Sequence, residues 1–245
     1  MTTEPRAWEG VLAHIEARLV DGRLRLGDHL PAERTLATDL GVARSSVREA
    51  IRVLEAMGLV RTQTGSGPSS GARIVARPDG GMQSLMRLQV AASGFPVADV
   101  VRTRLLLETA VAVDLAERSA DVDLSDAERL LAAMDDPALS PAEFLALDAN
   151  FHLALAEASG NTVVAAMMSG LRTSIEGYVL AGADRIPDWP AMVDRLRAEH
   201  RAVLDAIVAA DVDGARTRIH DHISGYYRDA SPADPSATPV HHESR

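Results

Sequence analysis

Residues 30–61 read LPAERTLATDLGVARSSVREAIRVLEAMGLVR: a short helix, a tight turn and a second helix dense in residue types that contact DNA. In the first helix Leu36, Ala37 and Leu40 recur at the i, i+1, i+4 spacing of a buried stripe, and Gly41 stands where a left-handed turn must end it. The second, predicted over 45–57, places Val47, Ala50, Ile51, Leu54 and Met57 on one stripe. Arg44, Ser45, Ser46, Arg48 and Arg52 fall near its start or on its other faces. A helix presenting Arg and Ser in its first turns can enter the major groove, where Arg reads guanine edges and Ser takes phosphate. The plain alternative is a solvated helix in an ordinary bundle.

The next segment favours DNA. Residues 59–63 alternate, 64–71 are TGSGPSSG, and 72–76 read as a returning strand, so a small hairpin with a Gly/Ser tip is expected. These residues together resemble the winged helix-turn-helix domain of the GntR transcriptional regulators, whose pattern LPAERTLATDLGVARSSVREAIRVLEAMGLV matches almost throughout. The resemblance implies double-stranded operator DNA as partner. It assigns DNA contacts to Arg34, Arg44, Ser45, Ser46 and Arg48, with Gly65 in the wing. Ala43 departs from the polar residue often found at its position.

Composition limits the rest. A chain of 245 residues with 47% apolar residues has material for two modest domains. With no cysteine, disulfides, thiolate zinc sites and thiol redox sensing are excluded. No stretch resembles a signal peptide or a membrane span, so no membrane partner and a cytoplasmic location are expected. All 25 basic residues are Arg. Without Lys there is neither a pyridoxal-phosphate Schiff base nor a Walker-type P-loop, which excludes the working aminotransferase-like domain that some GntR relatives carry. The net charge of −10 is unevenly spread: residues 1–80 hold 11 Arg and 10 acids, residues 81–245 hold 14 Arg and 25 acids. The near-neutral head must rely on local Arg placement and dimerisation for DNA affinity.

The breaker cluster Arg77-Pro78-Asp79-Gly80-Gly81 suggests a boundary. The expected organisation is a winged helix-turn-helix domain over 5–77, a helical bundle over 82–229 and a disordered tail over 230–245. Downstream, amphipathic runs at 82–93, 96–119, 125–134, 141–159, 162–180, 189–210 and 212–228 predict six or seven helices, with Pro137, Pro141, Pro187 and Pro190 at or near the breaks. The fold class is mainly α, with a small β-hairpin wing.

Polar residues inside the apolar stripes point to chemistry. Asp148 and His152 share a face with Phe144, Leu147, Phe151 and Leu155; His200 sits among Val193, Leu196, Val203, Leu204 and Ile207; His222 sits among Ala215, Ile219, Ile223 and Tyr226. An unpaired carboxylate in a helical core costs several kcal/mol. Any one of these histidines taken alone reads as a hydrogen-bonded core residue. One Asp and three His taken together suit a divalent transition metal, zinc first, nickel or manganese also fitting, with coordination positions left for a ligand oxygen. His220 falls on another face. Arg104 and Glu108 share the stripe of Val97, Val100, Val101, Leu107, Val111 and Leu115, either as a structural ion pair or with Arg104 gripping an effector carboxylate.

Residues 97–227, above all DANFHLALAEASGN and EHRAVLDAI, are similar to the FCD sensor domain of the FadR branch of the GntR regulators. The resemblance implies metal ligands at Asp148, His152, His200 and His222, and an effector-facing Arg104. Arg102 is a second effector candidate on a different face. Asn161 is most simply a helix N-cap and alternatively an effector contact. The implied protein is a homodimeric regulator, expected to be a repressor released by a small carboxylate. The wing TQTGSGP looks nearest to lactate-responsive members, which makes a 2-hydroxy acid the first expectation. Alternatives from other classes are a constitutive DNA binder with a structural metal and a metal-dependent hydrolase fused to a DNA module. The hydrolase lacks an HExxH motif and an obvious general base.

Overall fold

The fold is a computed structural model that describes residues 6–63, 71–75 and 95–230, with isolated positions between 81 and 92. Two compact units result, Met1–Gln89 and Val90–Arg245. Gly65, most of the predicted helix at 82–93 and the predicted tail beyond residue 230 lie outside the described residues; Leu85, Leu88, Gln89 and Ala92 within that predicted helix are helical.

The first unit begins with α1 (Ala7–Val20), which the sequence reading missed. Helix α2 (Glu33–Leu40) ends where expected, at Gly41 with φ 64°, a left-handed conformation that glycine adopts without a Cβ clash. Helix α3 (Arg44–Ala56) buries Val47, Ala50, Ile51 and Leu54. Met57, expected on the same stripe, caps the helix and is 45% exposed, because the chain turns at Gly58 instead of continuing the helical phase.

The wing is an antiparallel pair, β1 (Val60–Gln63) and β2 (Gly71–Ile74), in the register Val60↔Ile74 and Thr62↔Ala72. Val60, Ala72 and Ile74 face the core made by Val11, Ile15, Leu36, Val47, Ile51 and Leu54. Glu55 on α3 accepts from the backbone N–H and the hydroxyl of Thr62, which fixes the wing to the helix.

The second unit includes the α-helices α4 (Val97–Glu117), α5 (Ser125–Ala133), α6 (Pro141–Ala158), α7 (Thr162–Ala183), α8 (Trp189–Val208) and α9 (Val212–Ala230), with a 3-10 turn at Ser119–Asp121 after α4. Their starts follow local chemistry. Ser140 and Glu143 form a capping box with Pro141 in the first turn of α6, while Asn161 and Asp188 cap α7 and α8 by accepting from Val164 and Ala191 N–H. Helix α9 packs along α4 and α8, and α6 packs between α5 and α7. Phe144, Phe151, Leu115, Leu196, Ile207, Ile219 and Ile223 are almost fully buried between them. Val97, expected in the buried stripe of α4, is 41% exposed because it occupies the helix's first position. No helix among the described residues is long and apolar enough to cross a membrane.

Candidate metal centre and DNA-facing helix

Three helices bring four donors to one point. Asp148 and His152 are one turn apart on α6, so both point inward from the same face. His200 comes from the middle of α8 and His222 from α9. All four side chains are buried, and one donor atom from each lies within 4.8 Å of the others. His200 Nε2 is 2.9 Å from Asp148 Oδ1, and the Nε2 atoms of His152 and His222 are each 3.9 Å from that oxygen.

The protonation pattern tests whether an ion fits. His152 turns Nδ1 toward Glu108 Oε2 at 2.5 Å, and His222 turns Nδ1 toward Glu199 Oε2 at 2.9 Å. A carboxylate only accepts, so the hydrogen bond to Glu199 puts the His222 proton on Nδ1 and leaves its Nε2 with a lone pair; the His152 approach to Glu108 is not aligned as a hydrogen bond, but the adjacent negative charge favours the same tautomer. Those two Nε2 atoms face each other at 3.1 Å. Two lone pairs at that distance repel, and a cation shared between them removes the conflict.

His200 adds to the pattern: it is wholly buried and neither ring nitrogen makes an aligned hydrogen bond, despite the short approach to Asp148. A buried imidazole without partners is costly unless something else takes its lone pair. The donor set therefore fits a divalent metal.

Charge reinforces the fit. Burial opposes ionisation of Asp148, but His200 and the other imidazoles outweigh it and hold the carboxyl well below the usual carboxylate range. Burial, with His200 beside it, pushes His222 down to about 4 against the pull of Glu199, which leaves its imidazole neutral and able to donate at neutral pH.

Beside the cluster lies a second charged group. Arg104 donates from Nε to Glu108 Oε1 at 2.6 Å and from Nη1 to the Tyr178 hydroxyl at 2.6 Å. Burial works against both charges of the pair; even so, Glu108 is held down to about 2 by Arg104 and His152, and Arg104 stays charged. The remaining Arg104 Nη2 is buried without a partner. An ionised donor in that state matches a missing acceptor such as a carboxylate.

The other sequence candidates are not brought to this cluster. Arg102 is exposed, pairs with Asp99, and lines a separate groove of about 550 Å³ with Leu105, Leu106, Arg216 and His220. Two residues along a helix is about 200° around its axis, so Arg102 and Arg104 cannot face the same interior. Asn161 uses its side chain as the α7 cap and is exposed. Glu199 and Tyr178 are site residues that the sequence reading missed. Glu199 adjoins His200 but meets His222 across helices, and nothing in its spacing signals that.

In the first unit Arg34, Arg44, Ser45 and Arg48 are exposed and Ser46 is half-buried. Arg48 is held by Glu33 of α2, Nε to Oε2 at 2.7 Å, which orients it along the helix-turn-helix surface. Ala43 caps α3 without any side-chain acceptor for the first-turn N–H groups, leaving them to solvent or another partner.

Residues 8–68 match the family model described as bacterial regulatory proteins, gntR family, and residues 99–225 match the FCD domain. An Escherichia coli (strain K12) protein whose name assigns it to regulation of the L-lactate dehydrogenase operon is 30% identical over 221 residues, 89% of this chain and 84% of its own. The Glc operon transcriptional activator of the same strain is 29% identical, over 88% of this chain and 85% of its own. The solved structure of Streptococcus agalactiae GntR has TM-score 0.63 and 26% identity, covering 90% of this chain and 99% of that one. These relatives are transcriptional regulators and not enzymes. The chain belongs to the gntR family of bacterial regulatory proteins: it is a transcriptional regulator with a helix-turn-helix DNA-binding domain followed by an FCD effector domain.

Proposed function

We propose that the chain is a metal-dependent carboxylate sensor that, as a homodimer, represses transcription and leaves its operator when the acid binds. The domains are taken as 5–77 for the DNA-binding head and 82–229 for the sensor. Asp148, His152, His200 and His222 hold a divalent transition metal, zinc in first place. Bound there, the ion would supply positive charge and open coordination positions to an oxygen ligand. Arg104 takes the effector's carboxylate through its unpartnered Nη2, and Tyr178 and Glu108 hold its other nitrogens. Arg34, Arg44, Ser45, Ser46 and Arg48 contact operator DNA, with Gly65 in the wing.

The observation that carries the reading is the close approach of two buried Nε2 atoms, His152 to His222 at 3.1 Å, around Asp148 and His200 and beside a buried guanidinium with a free donor. A metal next to a fixed arginine suits a small acid with a carboxylate and an adjacent hydroxyl. The L-lactate operon named for the Escherichia coli relative supports a 2-hydroxy acid as effector. The test is thermal stability of metal-loaded and chelator-stripped protein across L-lactate, glycolate, dicarboxylates and sugar acids, followed by operator binding. Ligand binding to the folded state raises the melting temperature by mass action. A metal-dependent rise with one acid, accompanied by operator release, is expected. No rise with any acid leaves a constitutive regulator with a structural metal, a reading that the complete burial of the donors favours.

A further inference from the structure

Glu108 stands between the two halves of the site. It is on α4, one turn from Arg104, and reaches across to His152 on α6. Its Oε1 accepts from Arg104 Nε at 2.6 Å, and its Oε2 lies 2.5 Å from His152 Nδ1. All three side chains are at least nine-tenths buried, so solvent does not screen the contacts. We propose that Glu108 is a positioning residue that transmits the state of Arg104 to the metal ligand His152, so that metal affinity depends on an arginine that is not itself a ligand.

The argument is one of donors and acceptors. Glu108 has two acceptor oxygens and no proton, and it faces two N–H donors. The Oε2 charge 2.5 Å from His152 Nδ1, close although not aligned as a hydrogen bond, favours the tautomer with the proton on Nδ1, which leaves Nε2 as the donor atom in the cluster. Accepting at Oε1 fixes the guanidinium plane, with Nη1 on Tyr178 and Nη2 left over. Glutamine at this position has one acceptor oxygen and one NH2, so whichever way it turns it meets one of the two N–H groups with another. The other donors behind the cluster differ. His222 leans on Glu199, which is 29% exposed and shares Arg195 with Asp229, and His200 Nδ1 has no partner. Only the Glu108 link runs to the proposed effector arginine.

This inference rests on the metal reading above, and the test separates the two. Cobalt(II) is titrated into chelator-stripped full-length wild type, E108Q, R104M/E108Q, H152A and H152A/E108Q, following the visible absorption of the ion and competition with a chelator. E108Q is expected to weaken cobalt binding about 10–100-fold and to alter the absorption band. R104M/E108Q should bind no more weakly than E108Q, since Arg104 acts through Glu108. On the H152A background the same Glu108→Gln change should shift affinity less than about threefold, because the residue it acts through is already gone. Equal affinity of wild type and E108Q, or an equal loss with and without His152, overturns the relay while leaving the metal centre standing. A wild type that binds no cobalt, or an H152A protein that binds it as tightly as wild type, removes the metal reading and the relay with it. A sensor-unit melting transition in metal-free E108Q like that of metal-free wild type, measured by calorimetry, serves as the check that the variant folds.

Discussion

At the scale of single residues the sharpest case is His200, whose two ring nitrogens are both buried and without aligned partners. Such a side chain is expensive to keep unless its lone pair is used. His200→Ala should therefore lower bound metal, measured by elemental analysis of purified protein, and abolish acid-induced operator release. Operator affinity without acid should stay near wild type. Wild-type metal content in that variant would exclude His200 as a ligand. Asp148 and His152 were legible beforehand because i, i+4 spacing places them on one turn among Phe144, Phe151 and Leu155. The contact between Arg104 and Tyr178 was not, since 74 residues separate them and only the packed bundle joins them. The exposed position of Arg102 was readable, because helical phase puts it opposite Arg104.

At the scale of elements, α3 presents Arg44 to solvent in its first turn, where an approaching duplex would meet it. Arg44→Ala should weaken operator binding by about 1–3 kcal/mol if the residue reads a base edge, seen as a shifted titration against operator but not against unrelated DNA. Uniform weakening across sequences would make it a phosphate contact instead. In the bundle, α7 runs past its predicted end at Leu180 to Ala183, and its Gly182 meets α9. A Cβ at Gly182 would clash with the Ala230 Cβ of α9, so the glycine permits a close crossing. Gly182→Ala should destabilise the sensor unit by about 1–3 kcal/mol through overpacking, measured by chemical denaturation. Helix starts were readable from Ser140, Pro141 and Asn161, whose capping chemistry is local. Helix α1 carries Trp8, Val11, Leu12, Ile15 and Leu19 at helical spacing, a stripe present in the sequence, but its first position follows Arg6, which gives no N-cap signal of the Ser140 kind.

For the whole molecule, the two-part division was visible in the charge distribution, near neutral in residues 1–80 and strongly acidic thereafter. Which helices meet in the sensor unit was not visible, because interhelical packing depends on contacts remote in sequence. If the four donors hold a metal, a chelator should lower the melting temperature of the sensor unit and leave that of the DNA-binding head unchanged, two transitions separable by calorimetry. Coincident shifts in both would argue against a site confined to the bundle. The donors His152 and His222 are 70 residues apart in the chain. An ion joining them works as a removable cross-link in a protein with no cysteine, closing a loop whose chain-entropy contribution is about 4 kcal/mol by analogy with a disulfide. Metal scarcity would then do more than silence the sensor: it would loosen the bundle toward unfolding, and proteolysis would set how much regulator the cell keeps.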